Sequence, residues 1–114
     1  MLFAQGNSLK MLKNFSDRVI HIHCKDIRKN VLDKSLKEDL SFRGAFLEGA
    51  FTVPGDGCID YKPILKELKS NNYKGWLVVE AEQDPKKANP LEYAKKGYKY
   101  LSKTVKETGF SVTI

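Results

Sequence analysis

Apolar positions along this chain switch repeatedly between two spacings. Leu9, Leu12 and Phe15 recur at helical spacing behind Asn7 and Ser8, either of which can cap a first helix that ends near Asp17. Arg18 to Cys24 alternates as a strand does, with Val19, His21 and His23 on one face and Ile20, Ile22 and Cys24 on the other. From about Ile27 to Leu40 the spacing is helical again, through Val31, Leu32, Leu36 and Leu40. Ser41 then reads as the cap of a short helix carrying Phe42, Ala45 and Phe46 and stopped by Gly49.

The second half repeats the alternation. Ala50 to Val53 is a brief extended run closed by Pro54-Gly55-Asp56-Gly57, a strong turn cluster. Asp60 can cap a helix with Pro63 in its tolerant first turn and a stripe of Ile64, Leu65 and Leu68, ended by Asn71, Asn72 and Gly75. Trp76 to Ala81 is the next strand: Trp76, Val78 and Glu80 share one face and Leu77, Val79 and Ala81 line its back. Gln83-Asp84-Pro85 breaks the pattern, and Asn89-Pro90-Leu91-Glu92 opens a last helix whose stripe is Leu91, Ala94, Tyr98, Leu101 and Val105. The residues beyond Gly109 are too few to assign. Helices alternating with strands predict an α/β fold with a parallel sheet. About three βα units are present where a closed (β/α)8 barrel needs ~250 residues. Residues 1–114 therefore read as one partial domain, a fragment of a barrel.

Composition adds exclusions. With 41% hydrophobic and 30% charged residues the chain is an ordinary globular sequence rather than a disordered one. A net charge of +6 raises nucleic acid as a partner, but the basic residues are mostly Lys interspersed with acids. Only Arg18, Arg28 and Arg43 offer the guanidinium forks that phosphate recognition favours, which argues against nucleic acid. Cys24 and Cys58 make neither a zinc motif nor a disulfide framework, and Cys24 reads as a small buried hydrophobe. No secretory leader or ~20-residue apolar span is visible. A soluble cytoplasmic protein with no membrane association is the expectation.

Both strong strands break into ionisable residues at their C-terminal ends, where parallel α/β folds display their chemistry. The last residues on one face of each are His23 and Glu80, both potential metal ligands. A lone His on a strand is more commonly a satisfied polar residue; the strand-end position and the matching face of Glu80 favour a ligand for His23. His21, one pair deeper, reads as an interior hydrogen-bonding residue. Glu82 suits solvent or catalysis equally, Asp56 suits its turn, and the Tyr93, Tyr98 and Tyr100 set suits helix packing.

Three motifs together carry a resemblance: His21-Ile22-His23-Cys24-Lys25-Asp26, Phe51-Thr52-Val53-Pro54-Gly55-Asp56-Gly57, and Gly75-Trp76-Leu77-Val78-Val79-Glu80-Ala81-Glu82-Gln83-Asp84-Pro85 with Asn89-Pro90-Leu91-Glu92-Tyr93. The chain from Met1 to about Leu101 resembles the C-terminal part of the myo-inosose-2 dehydratases, in the xylose-isomerase-like barrel superfamily. The resemblance implies a barrel holding one divalent ion, manganese or cobalt, through a Glu, an Asp, a His and a second Glu. It places the His at His23 and the final Glu at Glu80. The other two ligands belong to a part of the family's sequence upstream of these motifs, so half the metal site and the N-terminal part of the barrel lie outside this sequence. The implied reaction removes water from 2-keto-myo-inositol in inositol catabolism: an ion polarises the ketone, a carboxylate takes a neighbouring proton and an acid assists loss of a hydroxyl. In that scheme His23 and Glu80 are ligands, Glu80 also assists proton transfer, and Lys25 and Arg28 hold substrate oxygens by position.

Three readings stand against one another. The first is a lyase fragment, inactive alone. The second is a fragment of a related sugar isomerase or epimerase using the same enediolate chemistry. The third is a non-catalytic basic binding module. The missing barrel wall also leaves strand edges open, which favours self-association or completion by the N-terminal barrel portion.

Overall fold

A computed structural model of the chain describes residues 1–113. A 3-10 turn over Leu2–Ala4 precedes α1 (Ser8–Phe15), capped by the Asn7 side chain, which accepts from the Lys10 N–H at 2.9 Å. A second 3-10 turn, Ser16–Arg18, leads to β1 (His21–Cys24), followed at once by the two-residue β2 (Asp26–Ile27). α2 (Lys29–Lys37) and α3 (Phe42–Leu47, capped by Ser41) come next, then β3 (Phe51–Thr52). α4 (Tyr61–Ser70) starts at its Asp60 cap, β4 spans Trp76–Val79, and α5 (Pro90–Glu107) closes the order behind the Asn89 cap. No helix among the described residues is long and apolar enough to cross a membrane.

β1 and β4 pair in parallel with His21 beside Trp76 and His23 beside Val78. The intervening helices make this a βαβ crossover. The expected third strand behaves differently. The Ala50–Val53 run contributes only Phe51–Thr52, which pairs antiparallel with Asp26–Ile27 in a separate ladder. Among the described residues two strands therefore run in parallel, and the short antiparallel pair is an excursion between them. Ile27, placed in a helix by the spacing, belongs to that pair. The strand expected from Arg18 starts three residues later, because Arg18 closes a 3-10 turn.

One face of the parallel pair is packed and the other is open. Leu12 of α1, Cys24 of β1, Tyr61, Leu65 and Leu68 of α4, and Leu101 and Val105 of α5 form one buried cluster, with Ile22, Leu77 and Val79 against it. A second cluster under α2 and α3 joins Ile27, Leu32, Ala45, Ala50 and Phe51. Phe3 packs edge-on to Phe42 and Phe51, tying the N-terminal turn to this cluster. α5 comes close to the sheet at Gly97, where a Cβ would sit 2.8 Å from both Val53 and Val79 side-chain carbons. Trp76 on the open face is 68% exposed. Ile20, expected to be covered, is 80% exposed because it lies before the paired register begins. Leu36, Leu91 and Tyr98 are also exposed, so the stripes of α2 and α5 are narrower than their spacing predicts.

Asp26 ties β2 to the turn that follows β3. Its side chain is buried, and its carboxylate accepts the N–H groups of Ile27 at 2.8 Å, Ile59 at 2.9 Å and Gly55 at 3.2 Å. Buried polar oxygens are stable where N–H donors face them. Asp26→Ala leaves these donors without an acceptor and is expected to cost about 3 kcal/mol. Equilibrium urea unfolding checks this, and a loss within experimental error would remove Asp26 from the set of residues that hold the fold.

Candidate metal and substrate site

Parallel pairing puts the two strand ends side by side. The Glu80 N–H donates to the Cys24 carbonyl at 3.0 Å, extending the ladder one step past β4. His23 and Glu80 then meet diagonally on the open face, with Nδ1 and Oε2 2.9 Å apart. Lys25 Nζ lies 3.1 Å from Glu80 Oε1 and also pairs with Glu82. The back layer fixes this arrangement: the Tyr61 hydroxyl donates to the Lys25 carbonyl at 2.8 Å. Burial pushes the neighbouring Cys24 thiol up to about 12, so Cys24 is an inert packing residue.

Partial burial alone would raise the Glu80 carboxyl. Hydrogen bonds from His23 and Lys25, and the charges behind them, outweigh it and hold Glu80 below the usual carboxylate range. Glu80 is thus an anion at neutral pH. Glu82 reaches Lys25 because its backbone is left-handed, φ 50°, which breaks the alternation after Ala81. That conformation costs a non-glycine residue about 1–2 kcal/mol, and it aims two successive acids at one ammonium.

The donor chemistry suits a divalent ion in part. A separation of 2.9 Å matches neighbouring positions around an ion bonded at about 2.1 Å to imidazole nitrogen and carboxylate oxygen. Nδ1 would have to be deprotonated to serve. Among the described residues no group of three or more His, Cys, Asp or Glu side chains is placed to hold a metal ion. The chain accordingly offers two adjacent donors rather than a closed site. The His21 ring lies 5.3 Å from that of His23, tilted by 56°, and is exposed on the same open face rather than interior.

Arg28 is engaged elsewhere. Its Nη1 donates to the Gly49 carbonyl at 2.7 Å, and its Nη2 to Asp56 at 2.8 Å and to the Thr52 hydroxyl at 3.2 Å. No hydrogen bond or ion pair joins it to His23, Lys25 or Glu80 among the described residues. Asp56 gathers Arg28, Lys96 of α5 and the Thr52 hydroxyl, the last at 2.7 Å. Residues the sequence reading left without a role thus organise the site: Asp26, Thr52 and Gln83. The signal for Asp26 was its parity with buried Cys24, which puts it on the packed face.

The comparisons with known proteins place the fold in a family. The model of the xylose isomerase-like TIM barrel family matches residues 1–104, and the chain belongs to that family. Within it, the chain is 51% identical over 110 residues to an inosose dehydratase of Clostridium beijerinckii, covering 96% of this chain and 36% of that one. It is 50% identical over 98 residues to an inosose dehydratase of Lactiplantibacillus plantarum, covering 86% and 33%. A rhizopine catabolism protein, MocC, of Rhizobium meliloti is 47% identical over 111 residues, covering 97% and 34%. The chain thus spans about a third of the length of the curated relatives it matches.

Asp56 gives a pH signature. Partial burial alone would raise its carboxyl, but hydrogen bonds from Lys96 and Thr52 and the Lys96 and Arg28 charges outweigh it and lower it. A carboxyl lowered by folding contributes stability that is complete above its unfolded value of about 3.9 and lost as pH falls through its folded value. Asp56→Asn is expected to be about 1–2 kcal/mol less stable at pH 7, with a shallower loss on acidification below about pH 4. Urea unfolding over a pH series reads both; parallel curves for the two proteins would dismiss the ion pairs as stabilising.

Proposed function

We propose that this chain supplies the His23 and Glu80 ligands and part of the substrate contact of a metal-dependent inosose dehydratase, a cytoplasmic hydro-lyase acting on 2-keto-myo-inositol in inositol catabolism. One observation carries the reading: His23 and Glu80 converge to 2.9 Å at the ends of adjacent parallel strands, with Lys25 bridging Glu80 and Glu82. The identity of about 50% to proteins named inosose dehydratase supports the choice of reaction. Manganese or cobalt is the ion proposed. When bound, it would supply electrophilic polarisation of the substrate ketone and neutralise developing negative charge.

The chain's own residues have separable tasks in this reading. His23 presents Nδ1 as a neutral ligand, and Glu80 Oε2 is the adjacent carboxylate donor. Glu80 Oε1, which faces Lys25, receives the proton removed from the carbon beside the ketone. Lys25 Nζ holds a substrate oxygen. Arg28, with both terminal nitrogens already bonded, contributes charge and holds the Asp56 turn from which substrate oxygens are approached.

The test is a chimaera in which this chain replaces the matched third of the Clostridium beijerinckii relative. The chimaera is expected to dehydrate 2-keto-myo-inositol. His23→Ala and Glu80→Gln are each expected to lower the rate by more than about 100-fold, beyond the loss typical of residues that merely orient ligands. A folded chimaera that epimerises ketoses without releasing water would replace the dehydratase reading with the isomerase one. The 114-residue chain alone is expected to show no turnover above background with manganese present, since two donors leave an ion under-coordinated. Sustained dehydration by that chain would refute this expectation.

A further inference from the structure

Residues 81–83, which carry the chain from β4 toward α5, have no backbone anchor of their own. Among the described residues their N–H and carbonyl groups make no backbone–backbone hydrogen bond, whereas the Glu80 N–H before them reaches Cys24 and the Asp84 carbonyl after them accepts from Lys87 and Ala88. Glu82 nevertheless holds φ 50°, the left-handed conformation that is strained for a residue with a Cβ. Two side-chain contacts from this stretch oppose the strain. One is the Glu82 pair with Lys25, in which Glu82 is 43% exposed, and an exposed ion pair contributes little. The other is the Gln83 amide, whose Nε2 donates to the Thr52 hydroxyl at 3.3 Å. Thr52 is a fixed point: it is buried, and its hydroxyl donates to Asp56 at 2.7 Å and accepts from Arg28 at 3.2 Å. Its one proton is spent on Asp56, so only the nitrogen end of the amide can face it.

What this turn governs is the Lys25 ammonium. It lies 3.1 Å from Glu80 Oε1, pairs with Glu82, and has the Phe51 ring centroid 5.5 Å away. Two carboxylates thus share one charge. Were the turn released, Glu82 would relax into solvent and the ammonium would close on Glu80 Oε1, the anionic oxygen still beside it. The geometry points to Gln83 as a positioning residue: by tying residues 81–83 to Thr52 it keeps Glu82 on Lys25, and so keeps Lys25 from closing on Glu80 Oε1. The tie is independent of any reaction. Its chemical consequence rests on the dehydratase reading, in which Glu80 Oε1 receives the proton and Lys25 holds a substrate oxygen.

The test follows Gln83→Met in two settings. In the isotope-labelled 114-residue chain, NMR reads the cross-relaxation between the Lys25 ε-protons and the Glu82 γ-protons. The substitution keeps the side-chain length, removes the Nε2 donor, and also removes Oε1, which is buried without a partner among the described residues. The ratio of closed to open turn is expected to fall about fivefold, the value of one neutral hydrogen bond, while the urea midpoint holds or rises. No such contact in the unsubstituted chain, an equal contact in Gln83→Met, or a lowered midpoint would overturn the assignment. In the chimaera, Gln83→Met is expected to lower kcat about fivefold while KM changes less than about twofold. Glu82→Gln, which loosens the same ion pair, is expected to do likewise, and the double variant to be no slower than either single one. Losses that multiply, or an unchanged kcat, would also overturn it. If the contact ignores Gln83 while the chimaera dehydrates its substrate, the assignment falls and the dehydratase reading stands. If the chimaera folds without activity while the contact depends on Gln83, the converse holds.

Discussion

The buried carboxylate of Asp26 is the constraint from which the site's geometry follows. It sits two residues past buried Cys24 and gathers backbone N–H groups from its own strand and from the turn that follows β3. A carboxyl group buried in that position is shielded from water, so backbone N–H groups of the turn take the place of its hydration. Gly57 allows this approach, since a Cβ there would collide with the Asp26 carboxylate and the Ile27 carbonyl. Once the turn is placed, Thr52 and Asp56 are placed with it. Arg28 and Lys96 then bind Asp56 from β2's flank and from α5, so one acid couples the excursion between the parallel strands to the last helix.

Consecutive residues diverge at both strand ends. Lys25 turns to the open face and its carboxylate partners, while Asp26 turns to the packed face and the turn. At the end of β4 the same split would send Glu80 forward and Ala81 back, and Glu82 forward again only if the strand continued. The strand does not continue; the left-handed backbone of Glu82 re-aims it at Lys25 and frees Gln83 to reach Thr52. The local strain is offset by an ion pair on one side and a hydrogen bond on the other.

The elements were largely legible because their signals are local. Asn7, Ser41, Asp60 and Asn89 all cap as their residue types predict, and the parity of His23 and Glu80 put both on one face. The partner of each strand was not legible. Ala50–Val53 has strand composition, yet its pairing is set by Asp26 drawing the turn toward β2, a contact between distant residues. Leu91 and Tyr98 keep helical spacing but lie outside the arc of α5 that touches the sheet, because Gly97 fixes which side approaches. Arg28 looked free at a strand end; its partners, Gly49 and Asp56, come from later in the chain. Gln83 was hidden for a similar reason, since a left-handed Glu82 cannot be read from composition.

The open face shows how much of the site is set by the layer behind it. His21, His23 and Trp76 are exposed, and among the described residues no layer packs in front of them. What holds Glu80 and Lys25 comes from behind: the ladder bond from Glu80 to Cys24, the Tyr61 hydroxyl on the Lys25 carbonyl, and the apolar cluster that pins both strands. Such a layer preorganises charged groups at little conformational cost, because backbone rather than long side chains is fixed. It also leaves the front free to accept further donors without disturbing the pair already in place. A two-strand segment that buries only its back can thus keep a donor pair at bonding separation, while closure of any metal shell must come from groups facing it across the open side.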